Sequence, residues 1–417
     1  MALRSRVSMW CISLVMGMGV AMGATAGLAE ISVGVDTGDL RGSDGRALQA
    51  AVDYIAGLGG GTVRIGAGVY EMRNALILRD NVHVVGVPGE TTLVARDGLV
   101  VPLAADGDAN QREITVADPT GFRVGDGVII VDDNSGGFTD TTATLTAQLD
   151  ENTFSISRPL YVDYMVSSNA RAKLAFPVVG GWQVKNATVE GLTIDGNRDN
   201  CESVGGCRAA GIYLFECEDI TIRNCVVGSY DGDGISFQVS QRVTVEDCVS
   251  HGNAGIGIHP GSGSQDPIVR NNRSEGNDAD GMYVCWRVKR GVFENNVLVG
   301  NARDGISIGH KDTDNLFTGN EITGNARSGV MFRGESEAMG AHRNVFERNR
   351  ILDNAAAILM RGHHHDVVFR GNTIGYSSAS VGDNDDARVG IRHGEGVIRL
   401  DADDNEFLNV THERVVD

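Results

Sequence analysis

An all-β solenoid of stacked short strands is the fold class this sequence predicts, and three observations predict it. The first is a repeat. From Ile220 the chain divides into "ITIRNCVVGSYDGDGISFQVSQR", "VTVEDCVSHGNAGIGIHPGSGSQD", "PIVRNNRSEGNDADGMYVCWRVKR", "GVFENNVLVGNARDGISIGHKDTD", "NLFTGNEITGNARSGVMFRGESEAMGAHR" and "NVFERNRILDNAAAILMRGHHHD", a period of 23 or 24 residues with one rung lengthened. The second is the content of each rung: two or three apolar-alternating runs separated by Asn, Gly and Asp, which are strand and turn signals, with no helix-length pattern. The third is a column of the aligned rungs that reads Cys225, Cys248, Asn272, Asn296, Asn320, Asn349 and then Asn372. Amides recurring at one position of successive rungs from Asn272 on are a structural ladder, bonding up and down a stack.

A rung this short cannot bury its apolar face alone, so it must stack on its neighbours as a parallel β-helix, with strands about 4.8 Å apart. Residues of one column then become spatial neighbours. Ile235, Ile258, Met282, Ile306 and Val330 follow a conspicuous glycine and face the core. With a period of two, Ser236, His259, Tyr283, Ser307 and Met331 face out.

The chain ahead of the rungs reads in order. Residues 1–29 carry Arg4 and Arg6, the apolar run "MWCISLVMGMGVAMG" and the small-residue stretch "ATAGLAE", a secretory signal with cleavage expected after Ala26 or Ala29. A membrane-spanning helix is the alternative, but the apolar run is short and punctuated by glycine. The expected location is secreted or periplasmic. Residues 30–106 hold a capping helix and the first rungs. Asp44 can N-cap, Leu48, Ala51, Val52 and Ile55 share a face, and Gly57 to Gly61 end the helix. Residues 107–172, with "REITVADPTGFRVGDGVIIVDD" and "TLTAQLDENTFSISRPLY", read as antiparallel hairpins, a β-rich insertion that can flank a groove. Residues 173–417 are the main solenoid, interrupted by a loop at Asn197 to Arg208.

The repeat, with "DGRALQAAVDYIAGLGGGTVRIGAGVYEM" near the start, resembles the right-handed parallel β-helix superfamily of pectate-lyase-like proteins, over most of the chain beyond the leader. The resemblance implies a right-handed parallel β-helix. It does not select a reaction, because the superfamily includes lyases, hydrolases, epimerases and non-catalytic adhesins.

Composition narrows the partners. The 417 residues include 36 Lys+Arg against 55 Asp+Glu, a formal net charge of −19, so the broad basic footprint of a nucleic-acid binder is lacking. Beyond the leader six cysteines remain: Cys201, Cys207, Cys217, Cys225, Cys248 and Cys285. Export permits disulfides, and Cys201 with Cys207 is the best candidate pair. No CxxC pair points to zinc. The run "HHHD", His363 to Asp366, is a weak metal signal and reads as an exposed turn.

The outward columns gather His259, Tyr283, Arg287, Lys311 and Arg333 within a few rungs, an unusual strip in an acidic protein. Any one of them is expected on a solvated sheet, and Asp before Gly is a common turn choice; the combination is what suggests chemistry. An acidic polysaccharide would be cleaved by β-elimination, which needs a neutralised carboxylate, a base at C5 and an acid at the leaving oxygen. Arg287 and Arg333 can clamp the carboxylate. Lys311 or Tyr283 is the candidate base, and His259 or His310 the candidate acid. Trp286 can stack a sugar, and Asp312 and Glu335 complete the substrate-binding set. Calcium is the alternative neutraliser, with Asp280 and Asp304 on adjacent rungs as ligands. Lyases and C5-epimerases of the superfamily use similar Lys, Arg, Tyr and His sets, and both reactions begin by abstracting the same proton. Two other readings stand beside this one: a glycoside hydrolase using Asp233, Asp280 and Asp304, and a non-catalytic binding or surface module.

Overall fold

The computed structural model describes residues 29–378 and 388–417; the expected leader lies outside them apart from Ala29, which opens the first strand, Ala29–Gly34. No helix among the described residues is long and apolar enough to cross a membrane. The capping helix is Gly45–Gly57, N-capped by the Asp44 carboxylate and burying Leu48, Ala51, Val52 and Ile55 over the first rungs.

The body is a solenoid of parallel strands in three faces. One face is an eleven-stranded parallel sheet running from Leu76–Ile77 through Val179–Trp182, Ala210–Phe215, Asp233–Gln238, Ile258–Gly261, Met282–Tyr283, Asp304–Ile308, Ser328–Glu335, Ile358–Gly362 and Val389–His393 to His412–Val416. The other two faces are columns such as Val292–Glu294 over Leu316–Thr318 over Val345–Glu347, and Val297–Val299 over Glu321–Thr323 over Arg350–Leu352. The repeat sets the register: Ile306 pairs with Met282 on one side and Val330 on the other. The glycine column has a steric cause. A Cβ on Gly305 would sit 2.7 Å from the Gly329 carbonyl, and one on Gly281 3.0 Å from the Gly305 carbonyl.

The amide ladder exists and is buried. Asn296 Nδ2 donates to Asn320 Oδ1 at 3.0 Å, Asn320 to Asn349 at 2.8 Å, and Asn349 to Asn372 at 3.0 Å. A second ladder, Asn253, Asn277, Asn301, Asn325 and Asn354, runs parallel to it with donor distances of 2.9 Å. On the strand preceding the first ladder lies a stack of Phe293, Phe317, Phe346 and Phe369, with centroids 4.6, 4.4 and 4.9 Å apart. Cys225 and Cys248 occupy the first two places of the first ladder and are buried.

Between the early rungs an antiparallel six-stranded sheet is inserted, in the order Val100–Pro102, Arg171–Lys173, Gly127–Val131, Thr141–Gln148, Thr153–Ile156 and Glu113–Thr115. It has its own core around Val128, Ile130, Leu145 and Phe154. A bidentate pair from Arg73 to Asp126, 2.6 Å at both oxygens, ties it to the solenoid.

The cysteine and histidine expectations change. Cys201 and Cys207 are unbonded. Cys201 Sγ donates to the Arg96 carbonyl at 3.4 Å, while Cys207 packs in the strap at Asn197 to Arg208, where its carbonyl accepts the Tyr213 hydroxyl at 2.7 Å. The "HHHD" run is not an exposed turn, because His364 is buried. Its Nδ1 accepts from Ala341 N at 3.0 Å and its Nε2 donates to the Arg361 carbonyl at 2.6 Å, which requires the neutral ring.

Burial therefore pulls the His364 pKa down to about 4. A base held neutral stabilises the fold fully above its unfolded pKa, and that contribution is lost as the pH falls from about 6.5 towards 4. The expected loss is roughly 3 kcal/mol. Urea titrations at pH 7 and pH 4.5 should show it, and His364→Gln should flatten the difference; an unchanged slope in the variant would remove His364 as its source.

Candidate active site

The eleven-stranded sheet carries the functional side chains on its outer surface, because alternation turns every second residue away from the core. Several outward residues are nevertheless covered. Gly206 of the strap lies over the sheet and accepts the Ser236 hydroxyl at 2.7 Å, and the Arg333 side chain lies over Ser307, whose Oγ it meets at 3.1 Å. The strap is pressed down so closely that a Cβ on Gly206 would fall 1.7 Å from the Asp233 carboxylate.

Beyond the strap a cavity of about 400 Å3 opens over Tyr283, Ser307 and Met331, walled by Asp233, Asp280, Arg303, Arg327, Arg333 and Arg361. Four guanidinium groups around one cavity define an anion-binding environment inside an acidic protein. Their states differ. Arg327 binds Asp304 through Nε at 2.8 Å and through Nη2. Arg333 lies 4.2 Å from the Tyr283 ring centroid, donates to the Val284 carbonyl at 2.7 Å and pairs with Asp312 at 3.1 Å, while its Nε is buried without a partner. Arg303 and Arg361 are exposed and pair with no carboxylate among the described residues.

His259 lies behind this floor, against the lining residues Asp233 and Tyr283. It is 4% exposed, and its Nδ1 is 2.7 Å from Asp233 Oδ2, itself buried at 5%. The carboxylate fixes the tautomer with the proton on Nδ1, leaving Nε2 as the acceptor. That Nε2 is buried and has no hydrogen-bond partner. Tyr283 packs edge-on against the imidazole, 5.5 Å between centroids, and burial pushes its hydroxyl up to about 12, so it is a proton donor at neutral pH.

Other expected site residues lie elsewhere or have structural partners. Asp312 is fully buried: it accepts from Val288 N at 2.9 Å and Gly309 N at 3.0 Å and anchors Arg333, so it caps a turn and is not free for substrate. Burial pushes it up to about 8, against the pull of Arg333 and those amides. Glu335 is drawn to His310, 2.9 Å from Oε1 to Nδ1, and is likewise not free. His310, Lys311, Trp286 and Arg287 occupy two stacked turns beside the sheet; Arg287 and Lys311 are exposed and do not line the cavity.

Asp280 and Asp304 do share adjacent rungs, but they do not fit calcium, which takes roughly six to eight oxygen ligands. Asp304 accepts from Arg327 and from Ser328 Oγ at 2.6 Å, and Asp280 Oδ1 accepts Asp304 N at 3.0 Å. The cation at these carboxylates is Arg327. No group of three His, Cys, Asp or Glu side chains positioned to hold a metal occurs among the described residues. Burial first, and then the Asp304 charge, push Asp280 up to about 6.

Arg303, Arg327 and Arg361 were missed by sequence reasoning. A signal existed for two of them, since "ARDG" and "ARSG" place Arg303 and Arg327 at the same position of consecutive rungs. Arg361 neighbours Arg333 because Phe332 pairs with Met360, a register that the lengthened rung hides in the sequence.

A family model described as "Right handed beta helix region" matches residues 178–339. Among solved structures, the A-module of the mannuronan C-5 epimerase AlgE4 from Azotobacter vinelandii is 19% identical with a TM-score of 0.55, over 92% of this chain and 97% of that one. The Streptococcus pneumoniae surface protein and adhesin PfbA is 15% identical with a TM-score of 0.55, over 89% and 96%. A structure named as a glycoside hydrolase is 12% identical with a TM-score of 0.53, over 92% and 96%. No curated protein matches the chain. The protein has the right-handed parallel β-helix, pectate-lyase-like fold.

Proposed function

We propose that the protein is a secreted or periplasmic enzyme that abstracts the C5 proton of a uronate residue in an extracellular acidic polysaccharide, as a lyase or a C5-epimerase. One observation carries this reading: His259 keeps a buried and unpartnered Nε2 while packing against Asp233 and Tyr283, both of which line a cavity walled by four arginines. Unsatisfied buried nitrogens are rare and ask for a partner. Catalytic hydrogen bonds are often completed only by substrate. Arg303 and Arg361, free of carboxylates, bind the uronate carboxyl group and stabilise the charge that grows on it as C5 loses its proton. His259 Nε2 takes that proton. In elimination the electron pair forms the C4–C5 double bond, the C4–O bond breaks, and the Tyr283 hydroxyl protonates the departing oxygen. In epimerisation a proton returns to C5 from the opposite face. The mannuronan C-5 epimerase of Azotobacter and the glycoside hydrolase are both, by name, enzymes of carbohydrates built on this fold. Their likeness raises the standing of a sugar polymer as substrate without choosing the reaction.

The test is incubation with polymannuronate, polyguluronate and polygalacturonate in D2O. Rising ultraviolet absorbance from a product whose C5 carries no hydrogen is the expected lyase result, and deuterium at C5 without absorbance the epimerase result. New reducing ends with neither would overturn proton abstraction and transfer the chemistry to Asp233 and Asp280. Binding without any turnover would make the protein a surface module.

A further inference from the structure

We infer that the Trp286–His310 turn pair is a separate docking platform that grips an anionic polysaccharide chain beside the cavity; this rests on the acidic-polymer reading. The platform begins with chain length. Ser236 and Gln241 align with His259 and Gln265, and onward with Tyr283 and Lys289, then Ser307 and Thr313, through the parallel register. The turn after Ser236 is one residue shorter than the later three, so the extra residue of the 24-residue rungs lies there. It adds a second left-handed residue in two of them. Trp286 and Arg287 have φ of 58° and 71°, and His310 and Lys311 of 41° and 64°. Side chains of this bulk disfavour that backbone, and paired instances next to a cavity point to function.

The turns are clamped in place. Gly263 N donates to the Trp286 carbonyl at 2.6 Å, Gln265 Nε2 to the Arg287 carbonyl at 2.9 Å, Arg287 N to the His310 carbonyl at 2.9 Å, and Lys311 N to the Met339 carbonyl at 2.7 Å. The rings stack with centroids 4.7 Å apart and planes 13° from parallel, and Glu335 Oε1 lies 2.9 Å from His310 Nδ1. Trp286 is nevertheless 43% exposed. Arg287 lies 5.8 Å from its centroid, and neither Arg287 nor Lys311 has a carboxylate partner among the described residues. An exposed indole flanked in sequence by Arg287 and stacked on the turn that carries Lys311 suits a sugar ring carrying a carboxylate. Trp286 lies in the turn three residues after Tyr283, which ends its strand, so the two are at most about 10 Å apart along the chain, and Arg333 and Glu335 link the two places. One chain can therefore occupy both.

The experiment is equilibrium binding of polygalacturonate and polymannuronate to the full-length protein, followed by tryptophan fluorescence, with dextran as the uncharged control. A quench seen in wild type and in Trp182→Phe, absent in Trp286→Phe, is expected. So is about tenfold weaker binding in Trp286→Ala, matched by Lys311→Gln at low salt, with C5 exchange per bound uronate unchanged. Unaltered affinity in both variants with no quench at Trp286 would overturn the platform and leave the catalytic reading intact. Equal binding of dextran would overturn its charge preference. No wild-type binding of any polyuronate would overturn both readings.

Discussion

His259→Ala is expected to lower the rate of C5 exchange by about 10²–10⁴-fold, the usual contribution of a positioned general base. The imidazole has both attributes of that role: an orienting carboxylate on Nδ1 and an unpartnered lone pair on Nε2. Tyr283→Phe should depress elimination more than exchange, because the phenol is assigned to the leaving oxygen. Asp233→Asn should act through His259 by releasing its tautomer, lowering the rate without a matching rise in KM. Lys311→Ala should leave kcat within a few-fold of wild type, since its side chain is exposed in the turn and does not line the cavity. Rates are read by ultraviolet absorbance for elimination and by deuterium uptake for epimerisation, with a melting curve to show that each variant is folded. A His259→Ala protein at wild-type rate would remove the base assignment.

Phe317→Ala is expected to cost about 3–5 kcal/mol of stability, the largest loss of any single side chain considered. The ring is fully buried and lies between Phe293 and Phe346, so truncation opens a cavity and breaks two stacked contacts. Backbone around it is already committed: the Phe317 carbonyl accepts Asn349 Nδ2 at 2.9 Å and the Phe293 carbonyl accepts Asn320 Nδ2 at 2.9 Å. The ladder therefore holds the rung spacing and prevents collapse into the void. Urea unfolding measures the change, with the exposed Glu321→Ala expected to stay within about 0.5 kcal/mol. A loss below about 1.5 kcal/mol for Phe317→Ala would mean that the rungs can close over the gap.

Much of this was legible in the sequence because it depends on spacing alone. Asn272, Asn296, Asn320 and Asn349 recur at rung intervals, and parallel stacking turns recurrence into contact without further information. The same holds for Ile306 and its column, and for the Asp44 cap with its four buried helix residues. The second amide ladder was equally available in the repeat and was not used. The site was less legible. His259, Tyr283 and Arg333 could be placed on one outward surface, but outward did not mean exposed, since that depends on a strap drawn from another part of the chain.

Periodicity and local chemistry by themselves determined the solenoid, its inward columns and the surface on which polar groups gather, because each rung has no other way to bury its apolar side. The tertiary structure decided which of those groups are free. It turned Asp304 to Arg327, Asp312 to Arg333 and Glu335 to His310. It left Cys201 and Cys207 unbonded, and it isolated the second nitrogen of His259. Side chains as long as arginine reach across rungs, and a buried charge takes whatever partner lies within that reach. Spacing along the chain sets the neighbours, whereas reach and burial choose among them.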